Sequence, residues 1–148
     1  MRTARRDTAR AMSQENVEIA WELNRAFNRH EDRWLDFYDS DVEYVMPPEW
    51  PDDCVYRGRE SLRGLLSTLT RTFEGHEWVI ERVIEASDDC VIALARIHAS
   101  IQGGELGQKA AAVQYFRAGK VVRQLTYLSW AEALEAVGLS EQDAHADS

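Results

Sequence analysis

The residues with the widest chemical range in this chain are four histidines and two cysteines, and their spacing narrows what they can do. His30, His76, His98 and His145 show no H-x-x-x-H or H-E-x-x-H pattern that would set two imidazoles over one metal ion. Cys54 and Cys90 lie far apart with no C-x-x-C, which argues against a thiolate metal site or a disulfide framework and fits a reducing cytosol. Neither cysteine has an adjacent histidine or cationic cluster to lower its pKa, so both read as filler. No dedicated metal site or cofactor is expected.

The most specific stretch is Asp41-Val42-Glu43-Tyr44-Val45-Met46-Pro47-Pro48-Glu49-Trp50-Pro51, where a short β-type alternation runs into a stiff aromatic loop. Proline has a fixed φ and no N–H, so the backbone must leave the sheet at Pro47, and Trp50 then rides on a rigid loop. This is how a wall and lid of a small-molecule pocket would be written. As lid residues, Trp50 and Tyr56 would stack on a flat ligand; otherwise they cover the open end of the core.

Those groups need elements to hold them. Ser13 is a good N-cap, and Val17, Ala20, Trp21, Asn24 and Phe27 follow at helical spacing. A second helical piece packs Trp34, Leu35, Phe37 and Tyr38 inward before Asp39-Ser40-Asp41 stops it. After the first strand and its proline loop, Gly58 opens a helix whose buried face is Leu62, Leu65, Leu66, Leu69 and Phe73. From His76 the period changes to two, predicting strands over about 77–86, 90–101, 108–117 and 120–129. Ser87-Asp88-Asp89 and Ala118-Gly119 are tight turns, and 103–107 reads as a longer hairpin loop. Ser129 with Glu132 is a capping box for a last helix that ends at Gly138. The order ααβαββββα describes an α+β domain with helices on one face of a curved mixed sheet.

The chain has 148 residues, 45% hydrophobic and 29% charged, which fits one soluble globular domain and neither a disordered nor a membrane protein. Its longest apolar runs fall short of a bilayer span. A formal charge of −9 opposes phosphate backbones and disfavours nucleic-acid binding. Only Arg2, Arg5, Arg6 and Arg10 make a basic segment. Residues 1–12 are expected to be a disordered extension, with an RNA-binding or targeting arm as the alternative and Met12 as a second plausible start. The domain then covers 13–139, and 140–148 is expected to be a disordered acidic tail.

The segments SQENVEIAWELNRAFNR, DSDVEYVMPPEWPDD, YRGRESLRGLL and RAGKVVRQLTYLSWAEAL together resemble the SnoaL-like branch of the nuclear transport factor 2 superfamily, over roughly residues 13–139. The resemblance implies a cone, a bent sheet wrapping a helix around a pocket, often with a dimer through the outer sheet face. Relatives include polyketide cyclases, ketosteroid isomerase, limonene-epoxide hydrolase and non-catalytic binding domains, so fold alone does not fix chemistry. Within such a cone, strand alternation turns inward Val42, Tyr44 and Met46, then Ala110, Ala112, Gln114 and Phe116, then Val122, Gln124, Thr126 and Leu128. Tyr44, Gln114, Gln124 and Thr126 are polar groups on that apolar surface, and a ligand or water is expected to satisfy some of them.

By the same resemblance, the two carboxyl positions of ketosteroid isomerase fall on Tyr44 and Ala112, so its chemistry lacks a base. The positions of limonene-epoxide hydrolase fall on Arg96-Ile97-His98, Thr126, Tyr44 and Met46. A cation and a tyrosine survive there, and His98 could replace a lost carboxylate as general base while Arg96 holds an oxyanion. Against this, Val91, Ala93, Ala95, Ile97 and Ala99 form one small apolar face suited to a helix, which would turn Arg96 and His98 outward. A one-residue slip in the 102–108 hairpin would reverse that assignment. Two readings are open: a pocket protein with cofactor-independent acid/base chemistry of cyclase, isomerase or hydrolase type on a hydrophobic metabolite, or a non-catalytic ligand-binding or dimeric scaffold domain. A homodimer is expected from apolar residues on the outer face, such as Leu94 and Tyr127.

Overall fold

A computed structural model describes residues 2–50, 54–140 and 142. Helix α1 (Arg2–Asn28) buries Ala20, Leu23, Ala26 and Phe27 along one stripe. Ser13 is not its N-cap but an interior residue, only 4% exposed, because the alanines, arginines and methionine upstream are strong helix formers that carry the helix back to Arg2. The acidic tail expected over 140–148 lies outside the described residues except for Ser140 and Gln142, as do Pro51, Asp52 and Asp53 of the lid. Among the described residues no helix is long and apolar enough to cross a membrane.

The second helical piece is a 3-10 helix, Asp32–Phe37, anchored by buried Trp34 and Leu35. Tyr38, expected to close it, instead opens strand β1 (Tyr38–Val45) and is fully buried. Asp39-Ser40-Asp41 do not stop a helix but lie within β1, and their turn chemistry survives as an irregularity. Asp41 N–H bonds to Asp39 Oδ2 at 2.9 Å just where the pairing of β1 with the last strand shifts register. A short strand β2 (Val55–Arg57) returns antiparallel to β1, an addition to the expected order. Three residues flanked by prolines and glycine carry too little alternation to be read as a strand.

Helix α2 (Arg59–Thr72) comes next and buries Leu62, Leu65 and Leu66. Its N-cap Gly58 has φ +83 and ψ 163, a conformation essentially reserved for glycine, and donates its N–H to Val42 O at 2.8 Å. Strands β3 (Gly75–Ser87), β4 (Cys90–Ile101), β5 (Gly104–Arg117) and β6 (Lys120–Tyr127) complete one sheet in the order β2-β1-β6-β5-β4-β3, with β1 and β6 parallel and all other neighbours antiparallel. The loop expected over 103–107 is a two-residue turn, Gln102-Gly103, both at positive φ (49° and 79°), so β5 begins at Gly104. Paired positive φ values match the right-handed twist of a hairpin. The β4–β5 register is therefore continuous from Cys90↔Tyr115 to Ile101↔Gly104, and no slip exchanges the faces.

Of the register shifts that bend the sheet, two bear on which residues face the core. Glu81 is the extra residue of β3, between the pairs Ile80↔Ala95 and Arg82↔Leu94, and Val122 is the extra residue of β6, between Phe116↔Val121 and Tyr115↔Arg123. The second bulge changes one assignment: Val121, fully buried, faces the concave core in place of Val122. The concave face packs against α1, α2 and the 3-10 helix.

Helix α3 (Trp130–Ala136) packs on the other face, over Ile92, Leu94, Ala111 and Val113, so the helices are not confined to one side of the sheet. Leu94 is consequently 2% exposed within the single chain and offers no surface for a partner. Ser129 Oγ accepts Glu132 N–H at 3.2 Å, as its capping role requires. At the other end Gly138 (φ 79) lets Leu139 N–H reach Leu134 O at 2.8 Å and Gly138 N–H reach Glu135 O at 3.0 Å.

Strand β3 is an edge, and α1 closes it. Trp78 N–H bonds to Asn28 Oδ1 at 2.8 Å, while Trp78 O accepts from Asn28 Nδ2 at 2.8 Å and Asn24 Nδ2 at 3.0 Å. Two asparagines thus occupy backbone groups that would otherwise pair with another strand. They also fix the helix at one distance from the sheet, and a hollow remains between the two.

Candidate functional site

The concave core is filled at its narrow end by an aromatic ladder. Trp34 meets Phe27 at 5.3 Å, Tyr38 at 5.2 Å and Tyr44 at 6.4 Å between ring centroids. Tyr38 donates its hydroxyl to Gln124 Oε1 at 3.1 Å, and Gln114 Nε2 donates to the same oxygen at 2.9 Å. Above these side chains a space of about 30 Å³ is bordered by Tyr44, Ala112, Gln114 and Gln124. Toward the open end lies a larger cavity of about 170 Å³, walled by Tyr44, Met46, Pro47, Trp50, Leu65, Leu69, Phe73, His76, Trp78, Ile97, Ala99, Thr126 and Leu128, with Glu49 at its rim.

The structure thus brings together most of the residues read as ligand-binding. Tyr44, Met46, Trp50 and Thr126 line the larger space, and Ala112, Gln114 and Gln124 the smaller one. Tyr56 does not reach the cavity. Its hydroxyl accepts Trp50 Nε1 at 3.0 Å and so holds the lid tryptophan, while Trp50 N–H closes a turn on Pro47 O at 3.0 Å. Burial pushes the Tyr44 phenol up to about 12, opposed by hydrogen bonding toward Thr126 and Gln124, so it stays protonated at any physiological pH.

Arg96 and His98 are not in the cavity, a correction to their reading as oxyanion holder and base. The continuous β4–β5 register puts Ala93, Ile97 and Ala99 on the concave face and therefore Arg96 and His98 on the convex one. Arg96 pairs with Glu81 Oε1 at 3.0 Å and lies 5.5 Å from the Trp130 ring centroid. His98 is exposed and borders an open cleft beside Glu77 and Glu105.

The imidazole that does reach the cavity is His76, a residue the period-two reading left just outside β3. Alternation offered the signal: His76, Trp78 and Ile80 share one parity, and extending the strand by a single turn of the pleat would have placed His76 inward. The residue is 9% exposed, and its Nε2 is buried with no hydrogen-bond partner among the described residues. Rings of Phe27, Phe73 and His30 surround it at 5.5, 6.4 and 4.7 Å. Burial lowers its pKa from 6.5, and the neighbouring His30 lowers it further, so neutral imidazole is the form held at neutral pH.

That shift has a stability consequence. The folded state binds its proton less readily than the unfolded chain, so the contribution of this group is fully present above the unfolded value near 6.5 and falls as pH drops through it toward the lower folded value. Thermal melting at pH 7.5 and pH 5.5 is expected to show a smaller acid loss for His76→Gln than for the wild type. Equal losses would show that folding does not desolvate His76.

The remaining polar atoms sharpen the picture. Gln114 Oε1 and Thr126 Oγ1 are also buried without a partner of ordinary geometry. Cys90 is buried on the convex side with its thiol pushed up to about 11, chiefly by desolvation and then by Asp89, which removes it as a nucleophile. Among the described residues no three His, Cys, Asp or Glu side chains gather as a metal-binding group.

Comparison with known proteins agrees with this architecture. At 22% identity and a TM-score of 0.73, the chain is similar to Bal32a from a soil-derived mobile gene cassette, over 78% of this chain and 90% of that one. It is similar to TerC, crystallised with polyporic acid, at 18% identity and a TM-score of 0.71, over 83% and 98% of the two chains. A Catenulispora acidiphila protein with a ketosteroid isomerase-like fold, in complex with trimethylamine, matches at 19% identity and a TM-score of 0.67, over 84% and 95%. At these identities the likeness shows the fold, an α+β cone with an unclosed mixed sheet. No curated protein matches the sequence. The model of the SnoaL-like domain, however, matches residues 21–124, from the middle of α1 to the buried glutamine of β6. With the cone, the roofed hollow and that match in agreement, the chain belongs to the SnoaL-like domain family.

Proposed function

We propose that this protein binds a compact hydrophobic small molecule in the 170 Å³ cavity between α1, α2 and the concave sheet. One observation carries the reading: an apolar hollow under a proline-stiffened lid keeps unpartnered polar atoms of His76 and Thr126 in its walls. Natural cores fill such space and pair such atoms, and a site built for a guest leaves the space unfilled and the atoms unpaired. Tyr44, Met46, Trp50 and Thr126 would contact the guest directly, and Ala112, Gln114 and Gln124 would shape the floor. That TerC was crystallised with polyporic acid and the Catenulispora protein with trimethylamine supports a small-ligand role for the fold.

A second reading, cofactor-independent acid/base chemistry of the cyclase, isomerase or hydrolase kind, rests on His76 and no longer on His98 or Arg96. A neutral imidazole in a water-poor wall is a serviceable proton acceptor. The non-catalytic alternative rests on the missing carboxylates at Tyr44 and Ala112. Thermal melting with apolar compounds of one to three rings, with tryptophan fluorescence as a second readout, tests the binding reading. Saturable stabilisation by at least one compound is expected, and none across the set would refute it.

The same reading puts the protein in a reducing cytosol, where Cys54 and Cys90 stay free thiols. A homodimer through the convex face remains part of it, although Leu94 is already covered by α3. Half-buried Tyr115, Leu125 and Tyr127 and exposed Val79 are among the apolar residues left there. Sedimentation at micromolar concentration is expected to give twice the 17.0 kDa chain mass, and a single 17.0 kDa species would exclude the dimer.

A further inference from the structure

We propose that the guest of this cavity is a single-ring aromatic molecule carrying a hydroxyl, and that this hydroxyl supplies the hydrogen bond His76 lacks within the protein. The inference rests on the binding reading and narrows it to a chemical class. Size gives the first argument. The cavity measures about 170 Å³, and a dry apolar cavity of about 150 Å³ is known to hold benzene. One ring with a small substituent fills the space, whereas a three-ring skeleton would need the lid and α2 to move apart.

The walls give the second. Phe27, Tyr44, Trp50, Phe73 and Trp78 offer ring faces and edges on several sides of the space, an arrangement that favours offset or edge-on contact with a planar guest. Trp50 is held in place by its bond to Tyr56, so one wall is set before binding.

The third argument is the orphan nitrogen. His76 Nε2 is sealed and unbonded in the present side-chain arrangement. A guest reaches it by a small rotation of the imidazole about its outer torsion, whose energy profile is broad for a ring on sp³ carbon. A hydroxyl both donates and accepts, so it bonds to Nε2 in either neutral tautomer. Burial, and then the electrostatic influence of neighbouring His30, keep the imidazole in a neutral form. Thr126 Oγ1, the other unpaired wall atom, has the Tyr44 phenol beside it as a local alternative, which leaves His76 as the group most dependent on a guest.

The test is calorimetric titration of the full-length protein with ethylbenzene, 4-ethylphenol and 9-phenanthrol. In the wild type both one-ring compounds are expected to bind and the three-ring phenanthrol to fail. His76→Leu is expected to weaken 4-ethylphenol about tenfold more than it weakens ethylbenzene, and His76→Gln, which keeps a donor and an acceptor, to recover most of that difference. Circular dichroism and thermal melting show whether the leucine variant is folded. The inference is overturned if His76→Leu weakens both compounds equally or neither, if Thr126→Val takes the hydroxyl effect instead, or if phenanthrol binds as tightly as 4-ethylphenol. Failure of both one-ring compounds in the wild type would instead remove the cavity reading itself.

Discussion

The Ala99→Phe substitution is expected to abolish binding of ethylbenzene and of every other guest of the cavity while leaving a folded protein. Ala99 lies on the concave side of β4, is 7% exposed, and borders the larger space together with Ile97 and His76. Its methyl points into the hollow, so a phenyl ring there occupies the volume a guest would use. A bound ring removes roughly 150 Å² of apolar surface from water, which at about 25 cal/mol/Å² is worth about 4 kcal/mol, or close to a thousandfold in affinity. Losing that places binding below detection. Overpacking ordinarily costs about 1–3 kcal/mol, and here the new side chain enters existing space, so the melting temperature should change little. Calorimetry on the variant, with circular dichroism as the fold control, checks both halves. Undiminished affinity in a folded variant would show that guests bind elsewhere.

The Trp34→Ala substitution is expected to cost about 3–5 kcal/mol of stability, the range for deleting a large buried aromatic. Trp34 is 1% exposed and contacts Phe27, Tyr38 and Tyr44. Removing it leaves a void that α1, the 3-10 helix and β1 cannot all collapse into, because α1 is held to β3 by Asn24 and Asn28. With a urea m-value of about 2 kcal/mol/M, the denaturation midpoint should fall by roughly 2 M at an unchanged slope. A loss below about 1 kcal/mol would mean that the aromatic ladder does not hold the narrow end of the core together. Tyr38 loses a neighbour as well, so its bond to Gln124 and the floor of the cavity should loosen in the same variant.

Around these two positions, the inward set Val42, Tyr44, Ala112, Gln114, Gln124 and Thr126 could be read from sequence because a strand alternates with an invariant period, so one correct assignment fixes its neighbours. The α3 cap, the Leu face of α2 and the exit of the chain at Pro47 were equally legible, since each depends on local chemistry: a hydroxyl at a helix start, a spacing of three and four, a missing N–H. The family resemblance drew on the same segments.

Tertiary structure decided what local rules leave open. Bulges at Glu81 and Val122 arise where unequal strands must pair on a bent sheet, and each reverses the facing of the residues on one side of it, so Val121 and not Val122 enters the core. Whether Gly103 belonged to a loop or a two-residue turn set the β4–β5 register, and that register sent Arg96 and His98 to the convex face. Tyr38 became strand because its pairing with Val121 of β6 outweighs turn propensity, and Asp39-Ser40-Asp41 span the irregularity before the next pair, Glu43↔Arg123. The role of His76 lies in the same class. Its type and parity stand in the sequence, but the absence of a partner for its nitrogen is a property of everything folded around it, as are the volume beside it and the rings that hold it.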